Sequence, residues 1–166
     1  MSLPTELYDV LRLARASQKA GDLERALKLL ELPLRTHPRH PLTNLMAGLI
    51  LIESGQHQRA IILLRQALIH HPRDVSLLSS LATSLLAVDR TQEAVEQLQQ
   101  ALAIEPRDAN CRFNLGRGLL NLHRYAEAEQ AYRAFLQQQP NDAEGFNDLG
   151  LARMGQAASP SAERCF

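Results

Sequence analysis

The chain has no tryptophan, few aromatic residues (4%) and only two cysteines, Cys111 and Cys165. With aromatics scarce, leucine and alanine must fill any core, and an apolar content of 45% is enough to do so. Two thiols outside any metal or redox spacing require no oxidising compartment, and both are expected to be buried. An excess of charge of one sign is missing too, since 18 basic and 18 acidic residues give a formal net charge of +0. That balance argues against broad electrostatic binding to nucleic acid or to an anionic membrane. The longest apolar run, around Leu45 to Ile52, is too short to span a bilayer. The N-terminus mixes acids and bases and has no signal-peptide core. A cytoplasmic location is therefore expected, with a removed native signal peptide as the alternative left open.

Motifs that carry chemistry are also absent. The sequence contains no phosphate loop, no nucleophile elbow and no HExxH motif. The histidines sit mostly at boundaries between repeated segments. His70-His71 and His37-x-x-His40 have no carboxylates or thiols clustered with them in sequence. The expectation is a chain without catalytic residues, metal or cofactor.

What the sequence does contain is a clock. Pro38, Pro72, Pro106 and Pro140 are each 34 residues apart. Twelve residues before each stands an alanine (Ala26, Ala60, Ala94, Ala128), and Ala162 falls where the next would be. Four residues after each alanine comes a large apolar residue: Leu30, Leu64, Leu98, Tyr132 and Phe166. Such a period signals a stack of helix pairs, each burying its apolar face against its neighbours. With the proline at position 32, the units are residues 7–40, 41–74, 75–108, 109–142 and a partial 143–166, after a lead-in over 1–6. They are expected to form a single array.

Each unit reads as helix A over about positions 1–14, a turn near position 15, and helix B ended by the proline. Asp74, Asp108 and Asp142 stand where an N-cap accepts hydrogen bonds from the free N–H groups of helix A. The turn falls at Gly21, Gly55, Asp89, His123 and Ala157. Position 20 must be small because helix A crosses it closely. Leu13-Ala14, Leu81-Ala82, Leu115-Gly116 and Leu149-Gly150 supply the facing side, and unit two keeps Gly48. Pro33 lies inside helix B of unit one, so a kink or an early end is expected there. Ser159-Pro160 reads as an N-cap and first turn of a helix that only begins, and the chain is expected to be a fragment of something longer. Glu93, Glu96, Glu127 and Glu129 on the B helices are expected to form a solvated outer face.

These alanines, large residues and late prolines resemble the tetratricopeptide repeat (TPR) family over nearly the whole chain. The sequence departs from the family at position 4, where Val10, Asn44, Leu78, Arg112 and Phe146 replace its tryptophan. The resemblance implies an all-α, right-handed α-solenoid of antiparallel helix pairs whose A helices line a concave groove. It implies a non-catalytic scaffold that holds a protein or peptide in that groove. Carried over by position, the groove residues singled out are Arg12 and Arg15, then Leu45, Met46 and Leu49, then Ser79, Ser80 and Thr83, then Phe113, Asn114 and Arg117.

Leu45, Met46 and Leu49 are an apolar anchor site, or else pack against neighbouring A helices. Ser79, Ser80 and Thr83 edge a hollow with hydroxyls. Asn114 and Arg117 grip a peptide backbone. The basic face of unit one and the acidic face of unit five, through Glu144 and Asp148, would orient a partner or stack two copies head to tail. The carboxylate clamp of chaperone-binding TPR domains matches in no register. Two alternatives stand beside the scaffold: a targeting module of a larger glycosyltransferase, sulfotransferase or oxygenase, and a homo-oligomerisation module.

Overall fold

The computed structural model describes residues 5–158. Among them the chain forms helices α1 (Thr5–Lys19), α2 (Leu23–Thr36), α3 (Pro41–Glu53), α4 (His57–His70), α5 (Val75–Ala87), α6 (Thr91–Ile104), α7 (Ala109–Asn121), α8 (Tyr125–Leu136) and α9 (Ala143–Ala157), and no strand. The odd-numbered helices are the A helices of the repeat and the even-numbered ones the B helices. The backbone divides into two compact units after Val88, the first holding α1–α5 and the second α6–α9.

Helix starts follow the capping rule. Asp74 Oδ1 accepts from the Leu77 N–H at 3.1 Å, Asp108 from Cys111 at 2.6 Å and Asp142 from Gly145 at 2.7 Å. Two caps have no signal in the repeat pattern. Asp22 caps α2, and the His40 imidazole caps α3 by accepting the Thr43 N–H on Nδ1 at 3.2 Å. The A–B turns close with a left-handed residue at Gly21 (φ 80°), Gly55 (72°), Asp89 (60°) and His123 (57°). At the fifth turn, expected at Ala157, α9 runs up to that residue and is capped by Ala158. Helix α2 likewise does not stop at Pro33 but runs on to Thr36. Pro33 forfeits its own N–H bond and crowds the Leu29 carbonyl, but burial of Leu30 and Pro33 favours the helical last turn.

The A–B interface is built from positions 8, 20 and 24. Ala26, Ala60, Ala94 and Ala128 are fully buried, as are Leu30, Leu64, Leu98 and Tyr132. Position 8 must be small because position 24 lies on top of it. A Cβ on Gly48 would fall 2.6 Å from Leu64 Cδ2, and one on Gly116 2.7 Å from Tyr132 Cζ. Position 7 is less uniform than expected. Leu81 and Leu149 are buried, Leu115 is half-buried and Leu13 is 50% exposed. Cys111 is buried, whereas Cys165, Ala162, Phe166 and the Ser159-Pro160 start lie outside the described residues.

Position 4, without its tryptophan, does a different job here. Asn44 is buried and donates to the carbonyls of Pro38 (2.9 Å) and His40 (3.0 Å). Arg112 donates to the carbonyl of Pro106 in the same register. A polar side chain at this place ties down the carbonyl of the proline in the turn between units, which lies beyond the end of helix B. No described helix is long and apolar enough to cross a membrane.

Candidate functional site

Helix α3 is apolar nearly all round because it is packed on several sides, against α1, α2, α4 and α5. Its outward stripe is the exception. Met46 is buried and Leu45 half-buried, but Leu42 and Leu49 are 43% and 37% exposed. Across from that stripe, α1 presents Tyr8, Arg12, Arg15 and Lys19 over a buried Leu11. The two helices enclose a groove of about 670 Å³. Its floor and one wall are Leu11, Leu42, Leu45, Met46 and Leu49, and its other wall is the basic edge of α1. Tyr8 and Leu42 mark one end of the groove. At the other end, Gln18 Nε2 donates to Glu53 Oε1 at 2.6 Å.

The basic edge is only partly neutralised. Arg12 pairs with Asp9 at 3.2 Å, with both side chains mostly in solvent. Arg15 and Lys19 are exposed and form no ion pair among the described residues. Of the sequence-predicted site residues, Arg12, Arg15, Leu45, Met46 and Leu49 therefore meet around one groove in the first unit. The repeat register pointed to them. The Gln18–Glu53 bond carries no sequence signal, since it joins side chains 35 residues apart.

The serine and threonine patch on α5 is more inward than its sequence indicates. Ser80 is buried, Ser79 and Thr83 are half-buried, and the Thr83 hydroxyl donates to the Ser79 carbonyl at 3.0 Å. An intrahelical bond of this kind takes up the hydroxyl proton and leaves only its acceptor side to a partner.

In the second unit, Phe113 belongs to an aromatic cluster. Its ring centre lies 5.8 Å from Tyr132, edge to face, and 5.0 Å from Phe135. Asn114 is half-buried with no side-chain hydrogen bond among the described residues, and Arg117 is exposed. Tyr132 donates its hydroxyl to Asp148 Oδ2 at 3.0 Å. Burial first, and then the Asp148 carboxylate, push its phenol pKa well above the ordinary value, while the Arg117 charge opposes them.

Glu129 corrects an expectation. Its side chain is 14% exposed and pairs with Arg133 and Arg153, both at 2.9 Å, so it bridges α8 and α9 instead of facing solvent. Glu93 and Glu127 pair with Arg90 and Arg124 at the starts of α6 and α8. Among the described residues no group of three or more His, Cys, Asp or Glu could hold a metal ion. His71 Nε2 instead donates to the Arg39 carbonyl at 2.6 Å.

Comparison with known proteins adds to this geometry. The family model described as "Tetratricopeptide repeat" matches residues 11–75, 79–143 and 113–162. No curated protein matches the sequence significantly. Among solved structures, a crystal structure of MamA is similar with a TM-score of 0.83 at 20% identity, covering 95% of this chain and 86% of the other. MamA from Desulfovibrio magneticus gives a TM-score of 0.86 at 18% identity, covering 98% and 92%. The crystal structure of YrrB, described as a TPR protein with an unusual peptide-binding site, gives 0.77 at 23% identity, covering 92% and 79%. These likenesses show the fold class, the all-α solenoid of antiparallel helix pairs.

Proposed function

Because the chain belongs to the tetratricopeptide repeat family, we propose that it is a non-catalytic protein- or peptide-binding scaffold whose α1–α3 groove receives an apolar segment of its partner. The observation that carries this reading is the row Leu42, Leu45 and Leu49. It lines an open groove although burying those side chains would be favourable. A groove with an apolar floor and a polar rim is the usual form of a peptide site. That the similarly folded YrrB has a peptide-binding site supports the peptide-binding role, though not its place. Asn114 and Arg117 on α7, polar and without side-chain hydrogen bonds or ion pairs among the described residues, are a second place where a partner's backbone would be held.

The test is Leu45→Glu combined with Leu49→Glu. Neither residue is fully buried, so helical circular dichroism and the melting temperature should change little. Binding of a partner isolated with the wild-type chain should weaken by about tenfold to a hundredfold, as for a central apolar contact. Unchanged affinity in a folded variant would place the binding surface elsewhere.

A further inference from the structure

The groove is not neutral, and its charge specifies what fills it. Arg12, Arg15 and Lys19 follow one another along the exposed face of α1 at spacings of three and four residues, which puts them in one row. That row forms the wall opposite Leu42, Leu45 and Leu49, over about two helical turns. Against it stand two acids. Asp9 is paired with Arg12, and Glu53 is held at the end of the groove by Gln18. Arg15 and Lys19, the second and last members of the row, are left without an acidic partner among the described residues.

We propose that the occupant of the α1–α3 groove is a segment of a partner protein with an apolar face and acidic side chains along one edge, the apolar face against Leu42, Leu45 and Leu49 and the acids against Arg15 and Lys19. This rests on the groove reading above. The apolar contact supplies most of the affinity. The charged edge selects the partner and its direction, because rim charges act mainly on encounter rate and on exclusion of like-charged competitors. A neutral apolar segment would leave the two cations to solvent and gain nothing from them, and a basic one would be repelled. The chain's zero net charge makes this selectivity local.

The experiment is a selection of random displayed peptides of about twelve residues on the full chain. It is repeated on Arg15→Glu/Lys19→Glu and on Leu45→Glu/Leu49→Glu. The wild type should enrich peptides with two or more leucine-like residues and an excess of Asp and Glu. A synthetic peptide from that pool should bind about tenfold more weakly to the charge-reversed chain, and the gap should shrink at high salt. The charge-reversed chain should itself enrich peptides rich in Lys and Arg. Neutral or basic peptides on the wild type, or the same peptides on both chains, overturn the charge assignment while leaving the groove in place. No enrichment, or enrichment insensitive to Leu45→Glu/Leu49→Glu, overturns the groove as well. A wild-type dimer that Leu45→Glu/Leu49→Glu converts to monomer in sedimentation would show the occupant to be a second copy, and would overturn the proposal.

Discussion

Gly116 and Gly150 occupy the same repeat position and meet different surroundings. The Tyr132 ring lies over Gly116, and that ring is anchored through its hydroxyl to Asp148. Gly116→Ala should therefore destabilise the fold by about 1–2 kcal/mol, the overpacking penalty less the gain in helix propensity. No described atom comes within 4 Å of a Cβ on Gly150. Gly150→Ala should be neutral or stabilising by up to about 1 kcal/mol, and urea denaturation of the two variants reads the contrast directly. Backbone conformation makes a second residue-scale prediction. Asp89 carries a left-handed φ of 60° that costs an L side chain free energy, so Asp89→Gly should stabilise by about 0.5–1 kcal/mol. Gly55→Ala, at the equivalent turn, should cost about 1 kcal/mol.

Helix α3 depends on an unusual cap. The His40 Nδ1 lone pair accepts both the Thr43 N–H (3.2 Å) and the Thr43 hydroxyl (2.9 Å), and protonation would remove that acceptor. Burial first, then the charges of His37 and His71, lower the His40 pKa in the fold. A base held neutral in the fold contributes its full stability above the ordinary value of 6.5, and that stability is lost as pH falls below it. His40→Asp should remove this part of the acid sensitivity between pH 7 and 5, because its carboxylate still caps α3 there. His40→Ala should cost about 1 kcal/mol at pH 7, and thermal melts across that range separate the variants.

Helix α2 invites a complementary change. Pro33 gives the Leu29 carbonyl no N–H, so Pro33→Ala should raise the melting temperature even though it trims a buried side chain. The caps at Asp74, Asp108 and Asp142 were legible because an aspartate before an apolar run is a local signal. The cap at His40 was not legible, because imidazole is an acceptor only where the surroundings keep it neutral.

At the scale of the whole molecule, the helices within each compact unit pack on helices adjacent in the chain or next but one, such as α1 on α2 and α3, or α7 on α8 and α9. Contacts of this range carry little loop-closure entropy. Stopped-flow refolding should accordingly be complete in milliseconds or less, as for other helical proteins of low contact order. A main refolding phase of seconds would show that the two compact units do not form from local contacts alone. The same locality explains why the site was partly readable. Arg12 and Leu45 belong to separate helices, but the repeat places them 33 residues apart at known positions, so the face each one presents follows from the register.

The period of prolines, alanines and large apolar residues determined the helix pairs, their order and the small-on-large contact that joins them, because all of these are local or recur at a fixed spacing. Tertiary structure alone decided which members of each face stay open. Met46 sinks into the core while Leu49 does not, and Phe113 turns into an aromatic cluster. It also decided that Glu129 joins two helices and that Gln18 reaches Glu53. Those outcomes depend on the distance between side chains of different helices. A repeat pattern records only the position of each residue along its own helix.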